Sequence, residues 1–208
     1  MDLYTLNPTD AQRAELVDNI ITAYDAASDD QLMRGFTWYD TAHDLAKLVG
    51  HGDTRMGAGV IAALSANVGW GQNRKMALVA SNGGAVKGLP LGISKACRIM
   101  SGADPLDVLA KSLKTRSFFL NIADPSMSED VTIDRHAHDV AVGQRYGAES
   151  RGLTTATRYM IFARAYTEAA ERITARNPRA GRIMPHQVQA TTWVHWTETV
   201  TPERYRRP

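Results

Sequence analysis

The sequence predicts an all-α protein. Apolar residues recur at helical spacing along nearly the whole chain. Ser, Thr and Asp stand where helices should begin, and no strand-rich region, internal repeat or low-complexity segment interrupts the pattern. Thr9 and Asp10 cap a first helix whose apolar face is Leu16, Val17, Ile20, Ile21 and Tyr24. A second helix starts at Ser28, Asp29 and Asp30 and runs through Trp38, Leu45 and Leu48 to Gly50. The turn 51–54 leads to a helix over 55–65 whose residues are apolar and small, as suits a central buried helix.

A further helix covers 72–80 and is broken by the Ser-Asn-Gly-Gly run at 81–84. Shorter helices follow over 93–100, 105–110, 114–122 and 135–143. Two long ones cover 154–176 and 186–199, with the loop 177–181 between them. One domain is expected over residues 1–200, and 201–208 reads as a basic tail.

A chain of 208 residues can bury one sizeable core or two small helical lobes. Its one cysteine, Cys97, excludes an internal disulfide and a cysteine-ligated iron–sulfur or zinc site, and fits a reducing cytoplasm. The N-terminus has no basic region followed by an apolar run, and no apolar stretch approaches membrane-spanning length, so no membrane partner is expected. The net charge of +2 hides a gradient: residues 1–58 hold 4 Lys/Arg against 10 Asp/Glu, and residues 151–208 hold 10 against 4. Either the basic end faces a polyanion, or the two ends attract each other and close the fold.

The segment 114–138 concentrates the chemistry. Lys114 opens a short apolar helix, a polar loop follows, and Val131, Thr132 and Ile133 deliver Asp134 to the start of the next helix. A carboxylate there can do acid–base or nucleophilic work, or can simply cap the helix. Lys114 can act as an amine nucleophile only if burial or a neighbouring cation keeps it partly neutral. Otherwise Lys111, Lys114 and Arg116 form a solvated cluster that contacts phosphate. His136, His138, Asp134 and Asp139 are dense enough to suggest a metal. Only His136 and Asp139 share a helical face, however, and no second cluster exists, so no metal is expected. Trp193 and Trp196, three residues apart, read as a packing face, with an aromatic cleft wall as the alternative.

Three segments resemble the helix-hairpin-helix DNA glycosylase superfamily, the group containing endonuclease III. The run 61–67 (IAALSAN) with 72–75 (QNRK) is similar to the family's buried helix, its Ser-Ala-Gln turn and the Asn-Lys opening the next helix. The run 92–100 (GISKACRIM) is similar to the approach to the hairpin. Residues 114–115 (KT), 118–121 (FFLN) and 131–136 (VTIDRH) resemble the Lys-Thr, the apolar-Asn helix and the Val-Asp-Thr-His of the superfamily.

The likeness covers about 56–146 and implies a compact, orthogonal multi-helix bundle around that core. It departs at 110–112, where the hairpin glycines are absent, in the shortened stretch from Asn67 to Lys114, and in lacking the cluster cysteines. The chain thus resembles a reduced, phage-type member.

The resemblance implies cleavage of the N-glycosidic bond of a modified or damaged base flipped out of DNA, with no cofactor. Asp134 would be the key carboxylate and Lys114 the lyase-type amine. Lys111, Ser112, Thr115, Arg116 and Arg135 would contact DNA, and Asn67, Trp70, Asn73 and His136 would border the base pocket. Read without the resemblance, Asn67 to Asn73 is a capping turn with a core tryptophan, and His136 buttresses Asp134 or the core. Two other functions remain open: a catalytically silent DNA-binding module, and a protein-interaction factor that meets a host protein through the acidic N-terminal helices.

Overall fold

A computed structural model describes residues 6–146, 150–176 and 178–200. Among these the chain is all-α, with no strand. The helices are α1 (Asp10–Asp25), α2 (Asp29–Phe36), α3 (Trp38–Val49), α4 (Thr54–Leu64), α5 (Trp70–Ser81), α6 (Pro90–Met100), α7 (Pro105–Leu109), α8 (Leu113–Ala123), α9 (Arg135–Ala141), α10 (Ala156–Arg176) and α11 (Pro185–Thr199). The chain divides into two compact units, one formed by 1–38 with 129–208 and the other by 39–128. The core expected over 56–146 therefore draws residues from both. The basic tail expected at 201–208 lies outside the described residues.

The first unit brings together the N-terminal helices α1 and α2 and the C-terminal helices α10 and α11. Thr9 and Ser28 open α1 and α2 with reciprocal capping boxes closed by Gln12 and Gln31. Here α1 packs on α10, α11 and α9, and α2 lies along α11. Leu16, Val17 and Ile20 of α1 and Phe162, Tyr166 and Ala169 of α10 are almost wholly buried. Part of the charge gradient of the sequence is paired inside this unit: Arg172 pairs with Asp18 at 3.2 Å, and Arg176 with Asp25 at 2.7 Å. Arg34 adds a two-pronged bond to Glu198. All these pairs are roughly half exposed, so each contributes about 0.2–1 kcal/mol at most, and they set register more than stability.

The second unit is built on α4, which contacts α5, α6, α7 and α8. Every residue from Gly57 to Leu64 is buried. The small residues permit this. A Cβ on Gly57 would run into the backbone carbonyl of Ala46, and one on Gly59 would meet the Pro105 ring at 2.9 Å. Val60, Ile61 and Leu64 supply the apolar burial, about 1.5–3 kcal/mol each.

One helix expected from the sequence is two. The stretch from Ser28 to Gly50 breaks at Thr37, where the hydroxyl turns back to the Met33 carbonyl at 2.9 Å and the backbone leaves the helical region. Gly35, two residues earlier, lies directly against Thr191 of α11, which fixes α2 on that helix. The break falls at the boundary between the two units.

Candidate functional site

Asp134 sits at the end of the extended run 131–133, and this run is held from α10. The Tyr159 hydroxyl donates to the Val131 carbonyl at 2.8 Å and accepts from the Ile133 amide at 3.0 Å. All three residues are buried. Two turns further along α10, the buried Tyr166 donates to the Ala137 carbonyl at 3.0 Å, and burial pushes its phenol well above the ordinary range. Asn19 of α1 donates to the Ala141 carbonyl at the other end of α9. The carrier of Asp134 is thus tied at three points.

The Asp134 carboxylate divides its work between its two oxygens. Oδ1 accepts from the amides of His136 (2.9 Å) and Ala137 (2.8 Å), an N-cap at the positive end of α9. Oδ2 carries no hydrogen bond among the described residues, and the side chain is only half-buried. The cap and a reactive role are therefore compatible in geometry: one oxygen fixes the group, and the other can meet a cation or a water.

Buried polar groups line the inner face of α9. Asp139 takes Arg151 in a bidentate pair, Nε to Oδ1 at 2.6 Å and NH2 to Oδ2 at 2.8 Å, and also accepts from the Tyr146 amide. Burial alone would raise the Asp139 carboxyl, but the bonds from Arg151 and His138 outweigh it and hold the group below the usual carboxylate range. His138 is fully buried between Tyr146 and Phe162, bonds Asp139 through Nδ1 at 3.0 Å, and leaves Nε2 without a partner among the described residues. Burial lowers its imidazole. Arg158 secures the other side by donating to the Arg151 carbonyl at 2.7 Å. Asp139 is thus a buried counter-ion for an arginine, and no three metal-ligating side chains converge among the described residues.

His136 is 3% exposed, and burial lowers its imidazole as well. Its Nε2 accepts from Arg135 Nε at 3.1 Å, so the exposed Arg135 folds back over it. The His136 ring stands edge-on to Trp193, with centroids 6.4 Å apart.

The remaining residues singled out in the sequence belong to the second unit. Lys111 is exposed, while Ser112, Lys114, Thr115 and Arg116 are half-buried around the start of α8, where Ser112 and Thr115 share a hydroxyl hydrogen bond of 2.7 Å. Asn67 is exposed with a left-handed backbone (φ 61°), and Trp70 stands edge-on to Phe118. Asn73 is buried and donates to the Ile61 carbonyl at 3.1 Å, which ties α5 to α4. Its Oδ1 has no partner among the described residues. From residue 54 to 103 the chain carries six Lys/Arg and no Asp or Glu. Of those cations only Arg55 is in an ion pair among the described residues, with Asp104.

The sequence reading did not find Tyr159, Tyr166, Arg151 or Arg158. The tyrosines did leave a signal, two phenols seven residues apart on an alanine-rich helix, which places them on one face. A separate groove of about 700 Å³ in the first unit, with Leu16, Val17, Met160, Ile161 and Arg164 in its wall, does not include Asp134.

In comparison with known proteins, a family model matches residues 4–200. The chain belongs to DUF7178, a family of unknown function. No curated protein and no solved structure matches it. Membership of DUF7178 accounts for nearly the whole chain and attaches no reaction to it.

Proposed function

We propose that this DUF7178 chain acts on DNA in the manner of a reduced helix-hairpin-helix glycosylase, cleaving or processing the N-glycosidic bond of a modified base with Asp134 as its key carboxylate. The observation that carries this reading is the division of labour within Asp134. Its cap oxygen is fixed by two amides, and Oδ2 has no hydrogen bond among the described residues on a half-buried side chain. Tethers at Val131, Ile133 and Ala137 limit the reorganisation needed to keep that oxygen in place. In the reaction, Oδ2 faces the sugar of a flipped nucleotide, stabilises the positive charge that develops as the base leaves, and orients a water toward the anomeric carbon. Water adds across the bond, giving free base and an abasic sugar. Lys114, in the other unit, serves as a cation for phosphate.

DNA carrying varied modified thymines and uracils, incubated with wild type and with Asp134→Asn, tests this directly. Release of a base by the wild type and its loss in the variant is the expected result. Release that survives Asp134→Asn removes the mechanism.

A second reading is a DNA-binding module without cleavage. The acid-free stretch 54–103, with its cations largely outside ion pairs among the described residues, favours it. It predicts duplex binding that weakens steeply with salt, is unchanged by Asp134→Asn, and is accompanied by no base release.

A further inference from the structure

Two short helices, one in each unit, expose large apolar side chains in a row. In the first unit, α2 buries Gln31 and Gly35 against α11 and turns Asp29, Met33 and Phe36 outward. Their spacing of i, i+4, i+7 puts them on one face. Met33 is 71% exposed and Phe36 44%. In the second unit, α6 buries Ala96 and Ile99 and turns Leu91 and Arg98 outward, with the half-buried Lys95 between them at the same spacing. Leu91 is 68% exposed, and Leu89, just before Pro90, is 49% exposed. The two stripes carry opposite charge. No ion pair or side-chain hydrogen bond engages Asp29, Lys95 or Arg98 among the described residues. Asp30, by contrast, is taken by Arg34, which also reaches Glu198.

We infer that the α2 stripe of one copy of this chain docks on the α6 stripe of a second copy, independently of any action on DNA. From Asp29 to Phe36 and from Leu91 to Arg98 the rise is the same, about 10 Å. Laid antiparallel, Phe36 meets Leu91, the Met33 side chain lies along the Lys95 stem, and Asp29 meets Arg98. Leu89 adds to the apolar end. A phosphate backbone would satisfy Lys95 and Arg98 but offers nothing to Leu89 and Leu91, whereas the α2 stripe answers both the charge and the apolar surface. The contact joins unlike faces, so each copy keeps one stripe for a further partner unless a ring closes. Two short stripes make a small interface, so the association should be reversible and show at high protein concentration.

Sedimentation velocity of the full chain without DNA, from about 10 µM to about 1 mM and at low and high salt, tests this. Wild type should exceed the monomer mass of 22.8 kDa as concentration rises, and less so in high salt. Arg98→Glu and Asp29→Lys should each weaken association roughly tenfold, and the two reversals combined should restore most of it. Removing one apolar face at a time separates unlike from like contacts. Met33→Ser with Phe36→Ser, and Leu89→Ser with Leu91→Ser, should each give monomer alone and a one-to-one dimer when mixed. Circular dichroism should show every variant folded, since each altered side chain is exposed. Wild type that stays monomeric at about 1 mM in low salt would overturn the docking. So would association unchanged by the charge reversals, a doubly reversed chain no tighter than the single variants, or mixed variants that remain monomeric.

Discussion

Removing a single oxygen, by Tyr159→Phe, measures how firmly Asp134 is held. The ring and its packing survive, so little cavity forms. What disappears is one hydroxyl serving two backbone groups, the Val131 carbonyl at 2.8 Å and the Ile133 amide at 3.0 Å. Tyr159 is 2% exposed, Val131 3% and Ile133 0%, so water does not readily replace the lost partner. A buried backbone group left without a hydrogen bond costs about 1–3 kcal/mol, and two of them with partial relaxation about 2–4 kcal/mol. In a chain of this length that corresponds to a Tm lower by about 5–15 °C. Urea denaturation followed by circular dichroism should show the midpoint falling with an unchanged slope. Tyr166→Phe removes one backbone bond, to the Ala137 carbonyl, and a long 3.5 Å contact with the Thr192 hydroxyl, and should cost about 1–2 kcal/mol. A Tyr159→Phe loss below about 0.5 kcal/mol, or one smaller than that of Tyr166→Phe, would refute the assignment of Tyr159 as the main tether.

The cap and the chemistry of Asp134 separate by choice of substitution. Asp134→Ala should lose about 1 kcal/mol in thermal or urea unfolding, while Asp134→Asn, itself a good N-cap, should lose only a few tenths and still fail to release base. Arg151→Met strands the buried Asp139 and should cost about 3–5 kcal/mol, much of it recovered when Asp139→Leu is added, as a double-mutant cycle would show. Stability should also fall in mild acid. Burial lowers His136 and His138 in the folded chain, so the unfolded chain binds their protons first. Their contribution is complete above about pH 6.5 and is lost as pH falls toward the folded values. The lowered Asp139 carboxyl adds a second loss below about pH 4. Urea midpoints measured from pH 7.5 down to 3.5 check both steps, and a flat profile between 7.5 and 5.5 would contradict the first.

What the sequence determined by itself is what lies within about one helical turn. Thr9, Ser28, Asp53 and Asp134 start helices because a side-chain oxygen can reach an amide two or three residues ahead. The small apolar run around Ile61 becomes a buried helix because its composition leaves nothing to expose. The all-α class follows from those local preferences repeated along the chain.

Only the tertiary structure decided the rest. Propensity alone would carry one helix through Thr37, whereas the structure ends α2 there and packs its Gly35 against Thr191 of α11. The two charged ends of the chain meet as Asp18 with Arg172 and Asp25 with Arg176, pairings between residues about 150 positions apart that no spacing rule encodes. Asp139 reads in the sequence as a metal-ligand candidate and becomes an arginine's counter-ion once Arg151 folds onto it. Trp193 and Trp196 look equivalent until the fold buries one and leaves the other half-buried. Asp134 could be recognised as a cap from its neighbours in sequence, but the α10 tyrosines that hold its carrier at Val131, Ile133 and Ala137 come from 26 to 29 positions away. Contacts of that range carry the site, and each is fixed by packing that a linear pattern does not contain.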